Sequence, residues 1–229
     1  LYSDFNNSQD KLTFAAPTSP FLTDRLTLPP DNDFYKGFFK GAVRLPLNSK
    51  FNVNLGYGVA RSDTTLVDSY VSGATRTTFT LSQPDFDGEV KTQNYAFVLT
   101  SHPLRFLDGK IFYKYYERDN DNDVVTEISG ANVFTNPLFE YTRNAAGIDL
   151  GFRLPARFLL DTGYKLIMTD RKEENVAIER LPDNKDDIYS VELRWNGLDF
   201  MTPKAGYEKL IRSADFEGQR PENRRHAYA

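Results

Sequence analysis

The sequence predicts an all-β fold, an antiparallel up-and-down transmembrane β-barrel, of which this chain forms an incomplete section with about eight full strands. Three observations predict it. Apolar residues recur at every second position, short and long connections alternate, and 18 Phe and 13 Tyr occur in a chain whose mean hydropathy is -0.53. Many aromatic residues in a polar chain suit strands and interfacial girdles better than a large soluble core.

The period of two is clear in FNVNLGYGVA, residues 51–60. Its apolar face consists of Phe51, Val53, Leu55, Tyr57 and Val59. Its other face consists of Asn52, Asn54, Gly56, Gly58 and Ala60. The same alternation predicts further strands at 35–45, 94–100, 110–118, 146–154, 158–168, 189–195 and 204–212. In a membrane barrel the apolar face of each strand contacts lipid and the polar face lines the lumen.

The connections between these strands alternate in length. Short turns are predicted at 46–49, 101–109, 155–157 and 196–200. Long surface loops are predicted at 1–32, 61–88, 119–140, 170–187 and 213–229, within a single barrel section that covers residues 1–229. Short turns on one side and long loops on the other are the layout of an outer-membrane barrel, whereas such long loops are uncommon in compact soluble domains.

Two structural alternatives stay open on periodicity alone. One is a soluble up-and-down β-protein whose apolar faces meet in a core. The other concerns completeness: bacterial barrels begin and end on the short-turn side, whereas the predicted strands start and finish on the long-loop side. We therefore expect an interior section of a longer barrel.

Composition excludes several functions. The net charge is -4, the pI is about 5.3 and no run of Lys or Arg occurs, so we predict no nucleic-acid partner. The chain has no cysteine, which excludes disulfides, Cys-ligated zinc, thiol catalysis and covalent haem attachment within it. No apolar run reaches the length of a transmembrane helix. No catalytic constellation stands out, so we predict that the protein is not an enzyme.

The best candidate site residues are polar side chains on the face predicted to line the lumen. They could contact a partner inside the barrel, or they could only solvate one another across neighbouring strands. Both signs of charge are present, so no simple ion selectivity is predicted. The candidates are Lys36, Lys40, Arg44, Asn52, Asn54, Lys114, Arg118, Asp149, Arg153, Asp161, Lys165, Glu192, Arg194, Lys204, Glu208 and Arg212.

Three weaker signals have a bland explanation beside the functional one. Glycines on the same face either let a bulky plug approach the wall or form bends in a curved sheet. The run RDNDND, residues 118–123, resembles a calcium loop in composition but lacks its glycine and terminal glutamate, so a solvated loop is the better interpretation. His102 and His226 are the only possible imidazole ligands. His102 stands beside Pro103 in a predicted turn, so an ordinary turn residue is a better interpretation than a haem or metal ligand.

Several segments resemble, in order, the decahaem-associated outer-membrane protein family of the MtrB/PioB type. The most specific is LTLPPDNDFYKGFFKGAVRLPLNSKFNVNLGYGVARSD. The resemblance continues through FDGEVKTQNYAFVLTSHPL, KIFYKYYERDND, EYTRNAAGIDLGFRLP, GYKLIMTDR, VELRWNGLD and GYEKLIRS, and covers about residues 21–215.

The resemblance implies a location and a role. Members of this family are large barrels of the bacterial outer membrane that surround and insulate a periplasm-facing multihaem c-type cytochrome, which carries electrons across the membrane. An extracellular multihaem cytochrome is a second expected partner, besides the lipid bilayer. The haem belongs to the cytochrome, so the resemblance implies no cofactor, catalytic residue or metal site in this chain. A porin for passive solute diffusion is the alternative function.

Overall fold

The computed structural model describes residues 1–6, 11–16, 19–27, 30–72, 75–122, 124–129, 132–136, 138–172, 183–214 and 222–228. The first strands of the described chain are β1 (Tyr2–Phe5), β2 (Lys11–Ala16), β3 (Ser19–Thr27), β4 (Asp31–Leu45), β5 (Ser49–Thr65), β6 (Ser69–Ser72), β7 (Thr75–Thr78), β8 (Thr80–Leu81) and β9 (Asp85–Leu104). They are followed by β10 (Leu107–Asn120), β11 (Thr126–Ser129), β12 (Asn132–Thr135), β13 (Glu140–Arg153), β14 (Phe158–Lys172), β15 (Asn184–Trp195), β16 (Lys204–Ala214) and β17 (Glu222–Tyr228), with a 3₁₀ turn at Pro155–Arg157. No helix in these ranges is long and apolar enough to cross a bilayer.

One antiparallel sheet dominates the described residues. Its ten strands pair in the spatial order β1-β4-β5-β9-β10-β13-β14-β15-β16-β17. This order is also their order along the chain, as in an up-and-down sheet. The shorter strands form three small sheets, β12-β11-β8, β2-β3 and β6-β7. In the described part of the chain β1 and β17 are the two edges of the large sheet, which is therefore an open section of a barrel wall.

Eight long strands lie between those edges, as the alternation predicted. They contain between 11 and 20 residues each, which is enough for a tilted strand to cross a bilayer. The tight turn after β4 has Leu47 and Asn48 at positive φ of 61° and 51°, the geometry of a type I′ hairpin that matches the twist of the flanking strands.

The predicted loop bounds were partly wrong. The loop 61–88 is shorter than expected, because β5 continues to Thr65 and β9 begins at Asp85. The ranges 1–32 and 213–229 contain β1 and β17, which extend the large sheet, and the range 119–140 contains the β11–β12 hairpin. Residues 173–182 of the predicted loop 170–187 lie outside the described residues. Outside a bilayer both faces of a strand can be polar. The alternation of apolar and polar residues is then lost, although the hydrogen-bonded pairing of the strands continues.

From the burial of its side chains we infer that the sheet is curved and that its polar face is the concave one. A groove of about 800 Å³ lies on this face over β10, β13 and β14. The buried residues Phe112, Ala145 and Ile167 also point to this side, whereas Phe39 and Ile111 on the apolar side are 60% and 53% exposed. A half-barrel with a wet interior and an apolar exterior has this distribution.

A row of tyrosines crosses the convex face obliquely, and we call it the tyrosine diagonal. It consists of Tyr35, Tyr57, Tyr95, Tyr115, Tyr164, Tyr189 and Tyr207. Between the tyrosine diagonal and the short turns, the convex side of the described long strands carries no charged residue. The hydroxyl of Tyr115 donates to Glu117 at 2.9 Å, and that of Tyr164 donates to Asp187 at 2.6 Å. Apolar rings with polar partners on one side are typical of a membrane interface.

The register gives the strand tilt. The row of paired residues that contains Tyr207 on β16 reaches β4 at Leu45. The tyrosine diagonal reaches β4 at Tyr35, so the diagonal and the row are separated by ten residues along that strand. Ten residues span about 34 Å, and the seven strand spacings between β4 and β16 span about 34 Å as well. If the tyrosines lie at one depth, the strands tilt by about 45°, which is at the upper end of the range for outer-membrane barrels.

Candidate functional site

The candidate site is the concave face of the large sheet. Rows of paired residues run across the sheet from strand to strand. Each of the sixteen sequence-predicted candidates lies in the row of Asn52, Asn54 or Gly58, or in a row that is an even number of residues away. All sixteen side chains therefore belong to this face. Whether these side chains contact a partner stays a prediction.

Near the short turns, charges of the concave face on β10, β13, β14 and β15 pair with one another. Lys110 lies 2.8 Å from Asp149, and Arg153 lies 2.6 Å from Asp108. Arg194 contacts both Asp161 and Glu192. Cations and carboxylates thus alternate at this end of the wall. The exposed pairs contribute little to stability, but they leave the surface close to neutral.

Farther from the short turns, the concave face is strongly basic. Between β4 and β16, the four rows of the register through Asn52, Asn54, Gly56 and Gly58 hold eight cations and a single carboxylate among the described residues. We call these cations the basic belt. Its members are Lys36, Lys40, Lys114, Arg118, Arg143, Lys165, Arg171 and Arg212. The two signs of charge therefore separate by row, and the absence of a simple ion selectivity stays a prediction.

The one carboxylate in these rows of β4 to β16 is committed to a neighbour. Asp186 is 5% exposed and accepts two hydrogen bonds of 2.7 Å from the guanidinium of Arg212. It also accepts a bond of 3.3 Å from the side-chain amide of Asn184. A bidentate pair of this kind fixes both side chains. Asp186 therefore balances Arg212, and it leaves the four lysines of the basic belt, Lys36, Lys40, Lys114 and Lys165, without a carboxylate within ion-pair distance among the described residues.

The groove lies at the centre of this excess charge. Lys110 and Lys114 flank the ring of Phe112, with their ammonium groups 5.0 Å and 5.8 Å from its centroid. The ring in turn lies above Gly147, where an added Cβ would be 2.5 Å from Cζ of Phe112. Lys165 lies on the next strand, beside Gly147 in the same row. The face of an aromatic ring attracts nearby ammonium groups but does not remove their positive charge.

The small residues of this face do not leave open space above them. The amide of Asn94 occupies the position of a Cβ at Gly56, and a Cβ at Gly58 would be 2.9 Å from the hydroxyl of Thr92. A Cβ at Gly163 would be 2.7 Å from the hydroxyl of Ser190. Neighbouring polar side chains thus fill the places that the sequence suggested for a plug or a bend.

On the opposite, convex face, the long-loop end of the wall carries a network of paired charges. Arg61 lies 2.6 Å from Glu89, which is also 3.1 Å from Lys91, and Lys91 contacts Asp121. The hydrogen bonds from Arg61 and Lys91 hold the pKa of the Glu89 carboxyl below its usual range. Asp121 of the RDNDND run is therefore an ion-pair partner. Asp123 lies outside the described residues.

No group of three metal-ligating side chains occurs in the described ranges. His102 has a local partner: its Nδ1 lies 2.5 Å from Asp108, which also binds Arg153. The side chain of His226 lies outside those described. The arrangement supports a structural role for His102 at the short-turn rim.

Sequence reasoning missed three important residues of the site. Arg143 lies before the predicted start of its strand, Arg171 lies after the predicted end of the next, and Asp186 lies before the predicted start of β15. All three keep the period of two with the concave residues of their strands. Extending each predicted strand by a few residues at the same parity would have found them.

Comparison with known proteins agrees with this architecture. The model of the family described as "outer membrane beta-barrel porin, MtrB/PioB" matches residues 1–223. A search among curated proteins gave no significant match. The match covers nearly the whole chain, and the family is one of the bacterial outer membrane. In such a barrel an apolar face suits lipid and a polar face suits the lumen. The chain belongs to the MtrB/PioB family of outer-membrane β-barrel porins.

Proposed function

We propose that this barrel wall surrounds and insulates a multihaem c-type cytochrome, through which electrons cross the outer membrane. The barrel acts as a sheath and does not catalyse a reaction. It holds the haem chain in its lumen, keeps the haems away from lipid and fixes the cytochrome across the bilayer. An extracellular multihaem cytochrome at the long-loop end is a second partner in this proposal.

The observation that carries the proposal is the height of the wall. Strand β9 contains 20 residues, and the ten from Asp85 to Asn94 precede Tyr95 of the tyrosine diagonal. Ten residues at a tilt of about 45° rise about 24 Å beyond the interface. The sheet therefore continues well outside the hydrocarbon region, as a sheath for an elongated protein requires.

The chemistry of the lumen supports the same proposal. Its face is polar and charged along the long strands, so water and a folded, water-soluble protein are both compatible with it. The resemblance of the sequence to decahaem-associated barrels supports a cytochrome as the occupant. The wall needs no cofactor of its own for this role, because the redox groups belong to the partner.

Electron transfer across a sealed membrane tests the proposal. The full-length barrel and the cytochrome of its complex are reconstituted in liposomes with an internal reductant and an external acceptor. We expect fast oxidation of the reductant with both proteins present and slow oxidation when either is omitted. Equal rates without the barrel would refute the sheath function.

A porin for passive diffusion shares every barrel feature and makes a different prediction. Planar-bilayer conductance is measured for the barrel alone and with the cytochrome. A sheath should conduct ions when empty and lose most of its conductance when the cytochrome is bound. A conductance that the cytochrome leaves unchanged would favour the porin.

A further inference from the structure

We propose that the basic belt is a docking surface for carboxylate groups of the protein enclosed in the lumen, namely acidic side chains or haem propionates on its surface. The inference rests on the proposed function, because it names the chemistry by which the wall holds the cytochrome. It adds a defined location, the groove over β10, β13 and β14, and a defined charge for the surface of the partner that faces it.

The first argument is the excess of charge. Eight cations and one carboxylate occupy the four central rows between β4 and β16 among the described residues, and the carboxylate, Asp186, is bound to Arg212. Lys36, Lys40, Lys114 and Lys165 have no carboxylate within ion-pair distance in the described chain. Like charges repel within a lumen, so this arrangement costs stability that an acidic partner would offset.

The second argument is the contrast with the rest of the wall. At the short-turn end the same face pairs Lys110 with Asp149 and Arg153 with Asp108. A wall that only needed solvation would pair its charges in the centre as well. Four of the concave-face lysines without a carboxylate within ion-pair distance in the described chain therefore lie in the central rows, and Lys50 lies nearer the short turns.

The third argument is the shape of the surface. Lys114 and Lys165 stand on β10 and β14, and the strand between them presents only Ala145 and Gly147 in their rows. The groove of about 800 Å³ over these strands is lined by both lysines and by Arg143. Two carboxylates also line it, Glu208 and Asp149, and Asp149 pairs with Lys110. A carboxylate that enters the groove would therefore meet positive side chains from two strands.

The test measures binding of the cytochrome to the full-length barrel in detergent. The variants are Lys114→Gln, Lys165→Gln and the two combined. The control matched to each single variant is Lys209→Gln, which removes one positive charge from the convex face of β16. We expect binding to weaken about threefold for each lysine and about tenfold for both, as for exposed ion pairs. Lys114→Arg with Lys165→Arg should restore it, which excludes a folding defect.

Salt provides the second measurement. Raising NaCl from about 0.1 M to about 1 M shortens the Debye length from about 10 Å to about 3 Å. The unaltered barrel should then bind as weakly as the double variant. Binding that is equally tight in the variant and the Lys209→Gln control, or that salt leaves unchanged, would overturn the docking surface and leave the sheath function standing. Absence of any cytochrome binding to the unaltered barrel would refute both.

A small anion that diffuses through the lumen is the alternative ligand of the basic belt. If the double variant changes the anion preference of the empty barrel in planar bilayers and leaves cytochrome binding intact, the basic belt serves ions and the proposal is wrong.

Discussion

A charge placed on the convex face at mid-depth should destabilise the barrel far more than the same charge on the concave face. On β4 the apolar band runs from Tyr35 to Leu45, which is about 34 Å of strand and about 24 Å of depth at a tilt of about 45°. Val53 pairs with Gly41, within about one residue of the middle of that band. Val53 is therefore the position on β5 that lies closest to the centre of the bilayer.

The expected magnitude follows from this depth. An arginine on the lipid face near the midplane of an outer-membrane barrel costs about 2 to 4 kcal/mol, and the cost falls to about 0 to 1 kcal/mol at the interfaces. Val53→Arg should therefore cost about 2 to 4 kcal/mol, and Tyr57→Arg less than about 1 kcal/mol. Asn52→Arg is the matched control, because Asn52 is adjacent and faces the lumen, where it donates only a long hydrogen bond of 3.5 Å to Val98.

The assay is reversible denaturant unfolding of the full-length barrel in phospholipid vesicles. Fluorescence can follow it, since Trp195, the one tryptophan of this chain, stacks on Phe158 at the short-turn end. The reasoning fails if Val53→Arg and Asn52→Arg lower the free energy of unfolding equally, or if Tyr57→Arg costs as much as Val53→Arg.

Two further predictions concern packing and pH. Gly147→Ala should destabilise the barrel by about 1 to 3 kcal/mol in the same assay, because its Cβ would lie 2.5 Å from the ring of Phe112. Gly37→Ala is the control and should be nearly neutral, because a Cβ there has no atom within 4 Å. Equal effects of the two substitutions would contradict this packing. Glu89 has a lowered pKa, so its stabilisation of the long-loop rim is present above its ordinary pKa and is lost as the pH falls through the lowered one. An NMR titration of Glu89 should show this, and Arg61→Gln should raise the midpoint; a midpoint that Arg61→Gln leaves unchanged would exclude the ion pair as the cause.

The sequence predicted the long strands well, because the bilayer imposes a period of two wherever a strand crosses it. FNVNLGYGVA shows why: lipid requires apolar residues such as Leu55 on one side, and the lumen accepts small polar ones such as Asn54 on the other. Beyond the interface this constraint ends. The strand segments at Thr65 and Asp85 were therefore assigned to a loop, although they belong to the ladder.

The segregation of charge could not be predicted from parity alone. Parity assigns Lys114 and Asp149 to the same face, but only the register shows that they lie in different rows. The filling of the glycine positions was equally invisible, because it depends on which cross-strand neighbour is large. Phe112 covers Gly147, and Asn94 covers Gly56, across ladders that the sequence does not specify.

Site-specific photocrosslinking from the two faces of β5 tests the central claim most directly. A photoreactive amino acid is placed at Asn54 on the concave face or at Leu55 on the convex face of the full-length barrel in cells. The account predicts a crosslink to a haem-staining cytochrome from position 54 and only lipid adducts from position 55. A cytochrome crosslink from position 55, or none from position 54 in an intact complex, would contradict it.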